Sequence, residues 1–456
     1  MKSATEILGP VIPAAARRIR RCRSGVALLL ALVWLCGVCG PSGAAPARLP
    51  WHVSPAGKLV DAAGDPVIVN GEAVWSLAIA LKPQELRDYL DDRQRRGINA
   101  IIAAVVERYH SGGPRNAMGD RPFGDVPFRY PREPYFRHLD LVVAEAEKRG
   151  IVVFLVPAYL GYGCAAEGWC AQIKQRTLAQ MRAWGRFLGH RYRERKNVVW
   201  LDGGDADARA FGVLPQVTAI AEGIREADPT HLHTVHCHRY TVGSECYDWR
   251  WLQVDTVYGD CNTIAALTRR AHAVAHRPFL MIEGRYEDQG ADPTCLRAQF
   301  LTPVLGGGVG QMFGTNYVRV FLPEWREHLD SPGMRDLTWM SSLVASLHVQ
   351  ELEPVDGSPL AGQLVSTSGE PAPKDAPVVA AAPDGHRLVA YLPVRQPLRL
   401  RSAAGLAWCA SWIDMTTRQR AAARLEPVSE AWVRAMPEGA KDSLLIAERC
   451  RPATGR

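Results

Sequence analysis

Two apolar runs of this chain end on acids. Asn197 to Asp207 reads NVVWLDGGDAD, stopping on two glycines and Asp205 with Asp202 and Asp207 close by, and Phe279 to Gly284 reads FLMIEG, stopping on Glu283. Two carboxyl groups facing each other across a cleft can break a glycosidic bond. One donates a proton to the leaving oxygen while the other attacks the anomeric carbon, or activates water where the separation is larger. The plainer alternative gives each acid a structural task, with Asp205 capping the next helix and Glu283 pairing with Arg285. The choice depends on whether the fold brings the two strand ends together.

The surrounding pattern says that it does. Short apolar or β-branched runs recur at 67–75, 98–106, 151–160, 197–202, 232–238, 254–259, 279–284 and 308–314. Between them lie stretches of helical spacing such as KPQELRDYLDDRQRRG, where Leu86, Tyr89, Leu90 and Arg93 share a face and Gly97 is the stop. Eight strand candidates alternating with helices predict a parallel α/β architecture, a (β/α)8 TIM barrel. Neither G-x-G-x-x-G nor a Walker loop follows the first run, which argues against a doubly wound sheet. Active sites of such barrels lie at the carboxyl ends of the strands, so Asp205 after strand 4 and Glu283 after strand 7 belong to one mouth.

Residues 1–44 read as a secretory signal. Arg17, Arg18, Arg20, Arg21 and Arg23 precede an uncharged stretch from Gly25 to Gly40, followed by small residues up to Ala44 and Ala45. An uncleaved anchor is the alternative, although about 16 apolar residues fall short of a spanning helix. Nothing around Cys36 and Cys39 marks a lipidated cysteine. Export to a periplasm or the extracellular space is expected, with no stable membrane insertion once the signal is removed. This segment also explains most of the charge: taking its six bases and one acid from totals of 54 and 47 leaves 48 against 46, a balance of +2. No nucleic-acid partner is expected from so even a balance. Three of the 11 cysteines lie in the same segment, and the remaining eight permit disulfides in an exported chain. Cys164 and Cys170 bracket AAEGW and could close a small loop, whereas the other pairings stay open. No zinc spacing appears, and neither a metal nor another cofactor is expected.

GEAVWSL (71–77), NAMGDRPF (116–123), NVVWLDGGDAD, AEGIREAD (221–228) and IEGRYED (282–288) resemble, in order, the signatures of the apiosidase-like catalytic domain. The resemblance runs from about Val67 to about Val349. It implies a retaining mechanism, with Asp205 as acid/base and Glu283 as nucleophile, their carboxyl groups roughly 5 to 5.5 Å apart. It also implies a polysaccharide or oligosaccharide substrate. The chain departs from the family pattern where GEAVW stands for GDTAW and where FGTN stands for a histidine-rich run. Both departures bear on sugar specificity.

Further binding candidates sit near the strand ends. Trp75 could stack on a sugar face or pack in the core, and Glu72 could make a contact from the first strand. Tyr286 could hydrogen-bond the nucleophile. Arg285 and Glu287 could form the rim or a salt bridge, the latter being favoured for Glu287. Asn116 and Asp120 fall in the long loop after strand 2, where binding residues tend to sit. His236 and His238, two apart after strand 5, would share a face and bond sugar hydroxyls. A metal there would need more ligands, with Asp260 the only obvious neighbour.

Past Leu347 the texture changes to a Pro-, Gly- and Ser-rich stretch and then short strand-like runs, predicting a small β-sandwich. The expected organisation is 1–44 signal, 45–350 barrel and 351–456 β domain. GHRLVAYLPVRQPLRL and CASWIDMTTRQR in the last part resemble a β domain labelled collagen-binding. The leading expectation is an exported retaining glycoside hydrolase acting on a plant cell-wall or microbial polysaccharide. The alternative is a non-catalytic carbohydrate-binding or matrix-adhesion protein on a degenerate barrel.

Overall fold

The computed structural model describes residues 47–450 apart from 110–112, 275–276, 356–365, 368–372, 397, 402–407, 424–425, 429–430 and 435, so the expected signal lies outside the described residues. All eight predicted runs are strands: β1 Val69–Ala73, β2 Ala100–Ala104, β3 Val152–Val156, β4 Val198–Gly203, β5 Leu232–His236, β6 Asp255–Tyr258, β7 Phe279–Glu283 and β8 Gly310–Phe313. Parallel ladders run continuously from β5 back through β1 and on through β8, β7 and β6. No ladder joins β5 to β6. The Gln253 and Val254 N–H groups donate to the His233 carbonyl at 3.2 and 3.4 Å, and the Thr256 hydroxyl to the Val235 carbonyl at 2.7 Å, closing the ring. A two-residue strand, Thr241–Val242, pairs antiparallel with the carboxyl end of β6.

Strand parity decides what fills the ring. Val152, Phe154 and Val156 join Val199, Leu201, Leu280, Ile282 and Met312 inside, while Val153 and Leu155 face the helix layer. A hairpin of His52–Val53 and Leu59–Val60 brings Trp51 and Leu59 to the inner cluster.

Helices α1 Pro83–Arg95, α2 Glu133–Lys148, α3 Leu178–Tyr192, α4 Leu214–Ala227, α5 Ile264–Val274, α6 Pro293–Leu305 and α7 Pro332–Ser346 cover the outside. In α1, Pro83 opens the helix and Glu85 accepts from the Lys82 N–H at 3.0 Å, while Leu86, Tyr89, Leu90 and Arg93 form the buried face. Gly97, in the left-handed region (φ 74°), follows its end. The unit after β5 departs from the expected alternation, because its helix is the single turn Gly243–Cys246. The Cys237–Cys246 disulfide closes that connection, which replaces a helix with a compact loop. All eight cysteines among the described residues are paired, with Cys164–Cys170 as expected and Cys261–Cys295 and Cys409–Cys450 besides.

Past Glu353 the chain forms two antiparallel sheets. One is ordered Glu353–Pro354, Val378–Ala381, Arg387–Leu392, Ser443–Arg449, Trp408–Asp414 and Arg420–Ala423. Leu398, from the other, joins the apolar cluster of the first, the inter-sheet contact a sandwich requires. Helix α6, buried on every side from Cys295 to Leu305, lies between barrel and sheet. Its Arg297 donates to both Asp442 oxygens at 2.7 and 2.8 Å and to Asp336 at 2.9 Å, and Tyr391 donates to Asp442 at 3.0 Å. Asp442→Ala leaves the buried Arg297 with Asp336 as its one carboxylate and takes the acceptor from Tyr391, and is expected to cost about 3 kcal/mol. A lowered guanidinium midpoint at unchanged slope checks this.

Candidate active site

The chain leaves β4 through three successive left-handed residues, Gly203 (φ 91°), Gly204 (φ 121°) and Asp205 (φ 51°). A Cβ on Gly203 would lie 2.4 Å from the Tyr247 hydroxyl, and one on Gly204 2.5 Å from the Tyr159 ring, so only glycine fits either position. This turn holds Asp205 over the barrel mouth. Its Oδ2 accepts from the Tyr159 hydroxyl at 2.7 Å. Its Oδ1 is buried without a hydrogen bond of good geometry, with the Tyr258 phenol close to the carboxyl.

Glu283 closes β7 and is buried. The Nε2 of His236, at the end of β5, lies 2.8 Å from its Oε2, and the Tyr286 hydroxyl is within hydrogen-bonding reach. That hydroxyl also accepts from the Trp75 indole N–H at 3.0 Å. Trp75 packs beside Tyr159 and edge-on to His236, and Tyr258 meets His236 on another side. The two acids are thus linked through one imidazole, whose Nδ1 lies 3.2 Å from the Asp205 amide and 2.9 Å from the Cys237 carbonyl. Nδ1 accepts from the amide when the ring is neutral and donates to the carbonyl when it is protonated. One donor atom each of Asp205, His236 and Glu283 lies within 4.8 Å of the others.

Burial pushes the Asp205 carboxyl above its ordinary pKa, and the Glu283 charge adds to the effect. The positive His236 and hydrogen bonds from Tyr159 and Tyr258 oppose it. Burial alone would lower His236, but its hydrogen bond to Glu283 and the charges of both acids raise it. These three side chains could also surround a cation, although His236 would have to release Glu283 to bind one. Cys237, His238 and Cys246 form another cluster, whose sulfurs are already joined as a disulfide.

Several expected binding residues lie elsewhere. Glu72 points out of the barrel, where Arg93 grips it at 2.6 and 2.8 Å and Tyr89 donates at 2.6 Å. Its even place on β1 sends it to the helix layer with Asn70, while Val69 and Ala73 face in. Asn116 shapes its own loop, its Oδ1 accepting from the Met118 and Asp120 amides. The Asp120 side chain, half-buried, lies on that loop near His138. His238 follows the end of β5, so strand alternation no longer applies to it, and it bonds the Arg239 carbonyl. Arg285 sits on the rim, paired with Asp260 at 3.1 Å. Glu287 makes no salt bridge among the described residues: it accepts from Ser331 and the Gly333 amide at the start of α7. Asp202 turns outward to His233, and Asp207 caps the turn at Arg209 and Ala210. Tyr159 and Tyr258 are not singled out by the sequence reading, yet each stands at or just past the carboxyl end of a strand, the position that singles out Asp205.

The fold is shared with solved proteins. A glycoside hydrolase family 5 protein from Bacteroides vulgatus aligns over 87% of this chain and 93% of its own, at 20% identity and a TM-score of 0.73. A second, described as a glycoside hydrolase, aligns over 88% and 97% at 19% identity and 0.72. Both share the barrel architecture and extend past it. No curated protein matches the chain in sequence. Residues 56–351 match the model of the apiosidase-like catalytic domain, and the chain belongs to that family of glycoside hydrolases.

The raised Asp205 pKa affects stability. A carboxyl that holds its proton more tightly folded than unfolded costs stability once ionised at high pH, and the cost disappears below the ordinary aspartate range near about 3.9. Asp205→Asn keeps an acceptor for Tyr159 and carries no charge. It is expected to raise the melting temperature at pH 7 and to lose most of that advantage at pH 3, as read by calorimetry.

Proposed function

We propose that the chain is an exported, retaining glycoside hydrolase acting on a plant cell-wall or microbial polysaccharide, with Glu283 as nucleophile and Asp205 as acid/base. The observation that carries this is the closeness of the two carboxylates, within 4.8 Å at their nearest oxygens. Retaining enzymes place these groups about 5 to 5.5 Å apart, whereas inverting ones leave about 6.5 to 9.5 Å for a water.

In the first step the protonated Asp205 gives its proton to the leaving oxygen as the C–O bond breaks and a Glu283 oxygen bonds the anomeric carbon. In the second, Asp205 takes a proton from water, whose oxygen bonds that carbon and releases Glu283. Burial and the Glu283 charge favour a protonated Asp205 at the outset. His236 Nε2–H and the Tyr286 hydroxyl hold the Glu283 carboxylate in place. Trp75 walls the floor of the site beside them. Four disulfides support an oxidising destination, and among the described residues no helix is long and apolar enough to cross a membrane.

Sugar release from a panel of pectic and microbial polysaccharides tests the reading. Glu283→Gln is expected to abolish it, and Asp205→Asn to slow it about 10²- to 10⁴-fold, with a much smaller loss on substrates whose leaving group needs no proton. Full activity in Glu283→Gln would refute the assignment.

A further inference from the structure

The acid/base carboxyl marks the side of the site where the leaving group lies. One loop meets Asp205 directly, and a second lies beside the first and the Tyr258 phenol. The loop after β3 donates the Gly163 N–H to the Asp205 carbonyl at 2.9 Å, and it carries Tyr162, 60% exposed, with its amide on the Glu167 carboxylate at 2.7 Å. The loop after β5 carries Arg239 and Tyr240. The Arg239 guanidinium lies 5.8 Å from the centre of the Tyr258 ring and 5.9 Å from that of Tyr240, and the phenols of Tyr258, Tyr240 and Tyr162 all act on its charge. Arg239 forms no salt bridge with a carboxylate among the described residues.

The backbone of both loops is held in costly conformations. Tyr240 (φ 69°) and Cys164 (φ 64°) are left-handed, which a bulky residue adopts only when its surroundings impose it. Tyr240 is fixed there by the hydrogen bond its N–H donates to the Tyr258 carbonyl at 2.7 Å, yet the residue remains 47% exposed. Cys164–Cys170 closes the first loop and Cys237–Cys246 the second. Each loop therefore combines a disulfide, a strained residue and an aromatic ring left open to solvent. Flat rings of this kind present an apolar face to a pyranose, and a guanidinium that bonds the Tyr258 phenol and no carboxylate keeps further donors for the sugar oxygens.

We propose that Tyr162, Arg239 and Tyr240 form the binding site for the sugar on the leaving-group side of the scissile bond, so that the enzyme takes a glycan with at least one further pyranose there. The two disulfides keep that site open in the absence of substrate. The proposal rests on Asp205 being the acid.

Two measurements on the full chain test it. In the first, Tyr162→Ala and Tyr240→Ala are compared on the cleaved polysaccharide and on the glycosyl fluoride of the released sugar, whose leaving group is too small to reach the loops. Each is expected to lower kcat/KM on the polysaccharide at least about tenfold more than on the fluoride, mainly through KM. Equal losses on both would mean that the tyrosines only support the catalytic pair, and no loss on the polysaccharide would mean that they bind nothing; either overturns the proposal. The second needs no turnover. Glu283→Gln is run in native gels containing pectin, xylan or xanthan, with and without Tyr162→Ala. Retardation by at least one polymer, lost on adding Tyr162→Ala, is expected. Retardation that survives Tyr162→Ala, or none with any polymer, overturns the proposal. A wild type inert on every polysaccharide but retarded in the gel would instead count against the hydrolase reading.

Discussion

The left-handed turn at Gly203, Gly204 and Asp205 is the constraint on which the rest of the site depends. It ends β4 abruptly, lifts one carboxyl over the mouth and brings the Asp205 amide against His236. Tyr159 and Tyr247 pack so close to the two glycines that no side chain could be added there. Asp205 itself tolerates the left-handed region better than most residues, because its short side chain can bond locally. The acids in NVVWLDGGDAD accordingly divide three ways: Asp202 turns outward, Asp205 faces the mouth and Asp207 caps a turn.

From that turn the interactions pass around the barrel. His236 links the ends of β4, β5 and β7, and aromatic rings from after β1 and from β6 hold the imidazole on two sides. A cluster of this kind places two acids in a poorly solvated space, where burial and the Glu283 charge raise the cost of ionising Asp205. Stability is therefore sacrificed at the mouth and recovered around it. Glu72 with Arg93, Glu287 at the start of α7 and Arg297 with Asp442 are all buried and bonded at several atoms. Disulfides fasten the loops where helices are short or missing.

The strands are legible because each is an apolar run between helical stretches, and the closeness of Asp205 and Glu283 because both acids close such runs. The failures have physical causes. The motif suggests a site contact for Glu72, but alternation along β1 places it outside beside Asn70. His238 was paired with His236 by alternation that ends with the strand. A salt bridge is the expectation for Glu287, but the Ser331 hydroxyl and Gly333 amide it bonds come from a segment over forty residues away, which spacing cannot reveal. The same holds for three of the four disulfides, whose partners meet only through the fold. Tyr159 and Tyr258 were within reach, since the strand-end rule applies to tyrosines as well as to carboxylates.

The account stands on the short distance between Asp205 and Glu283, and the configuration of the first product reports on that distance directly. Proton NMR of the anomer released in the opening minutes, before mutarotation, should show the same configuration as the bond that was cleaved. Release of the opposite anomer would require a water between the two acids and would contradict the double displacement at Glu283.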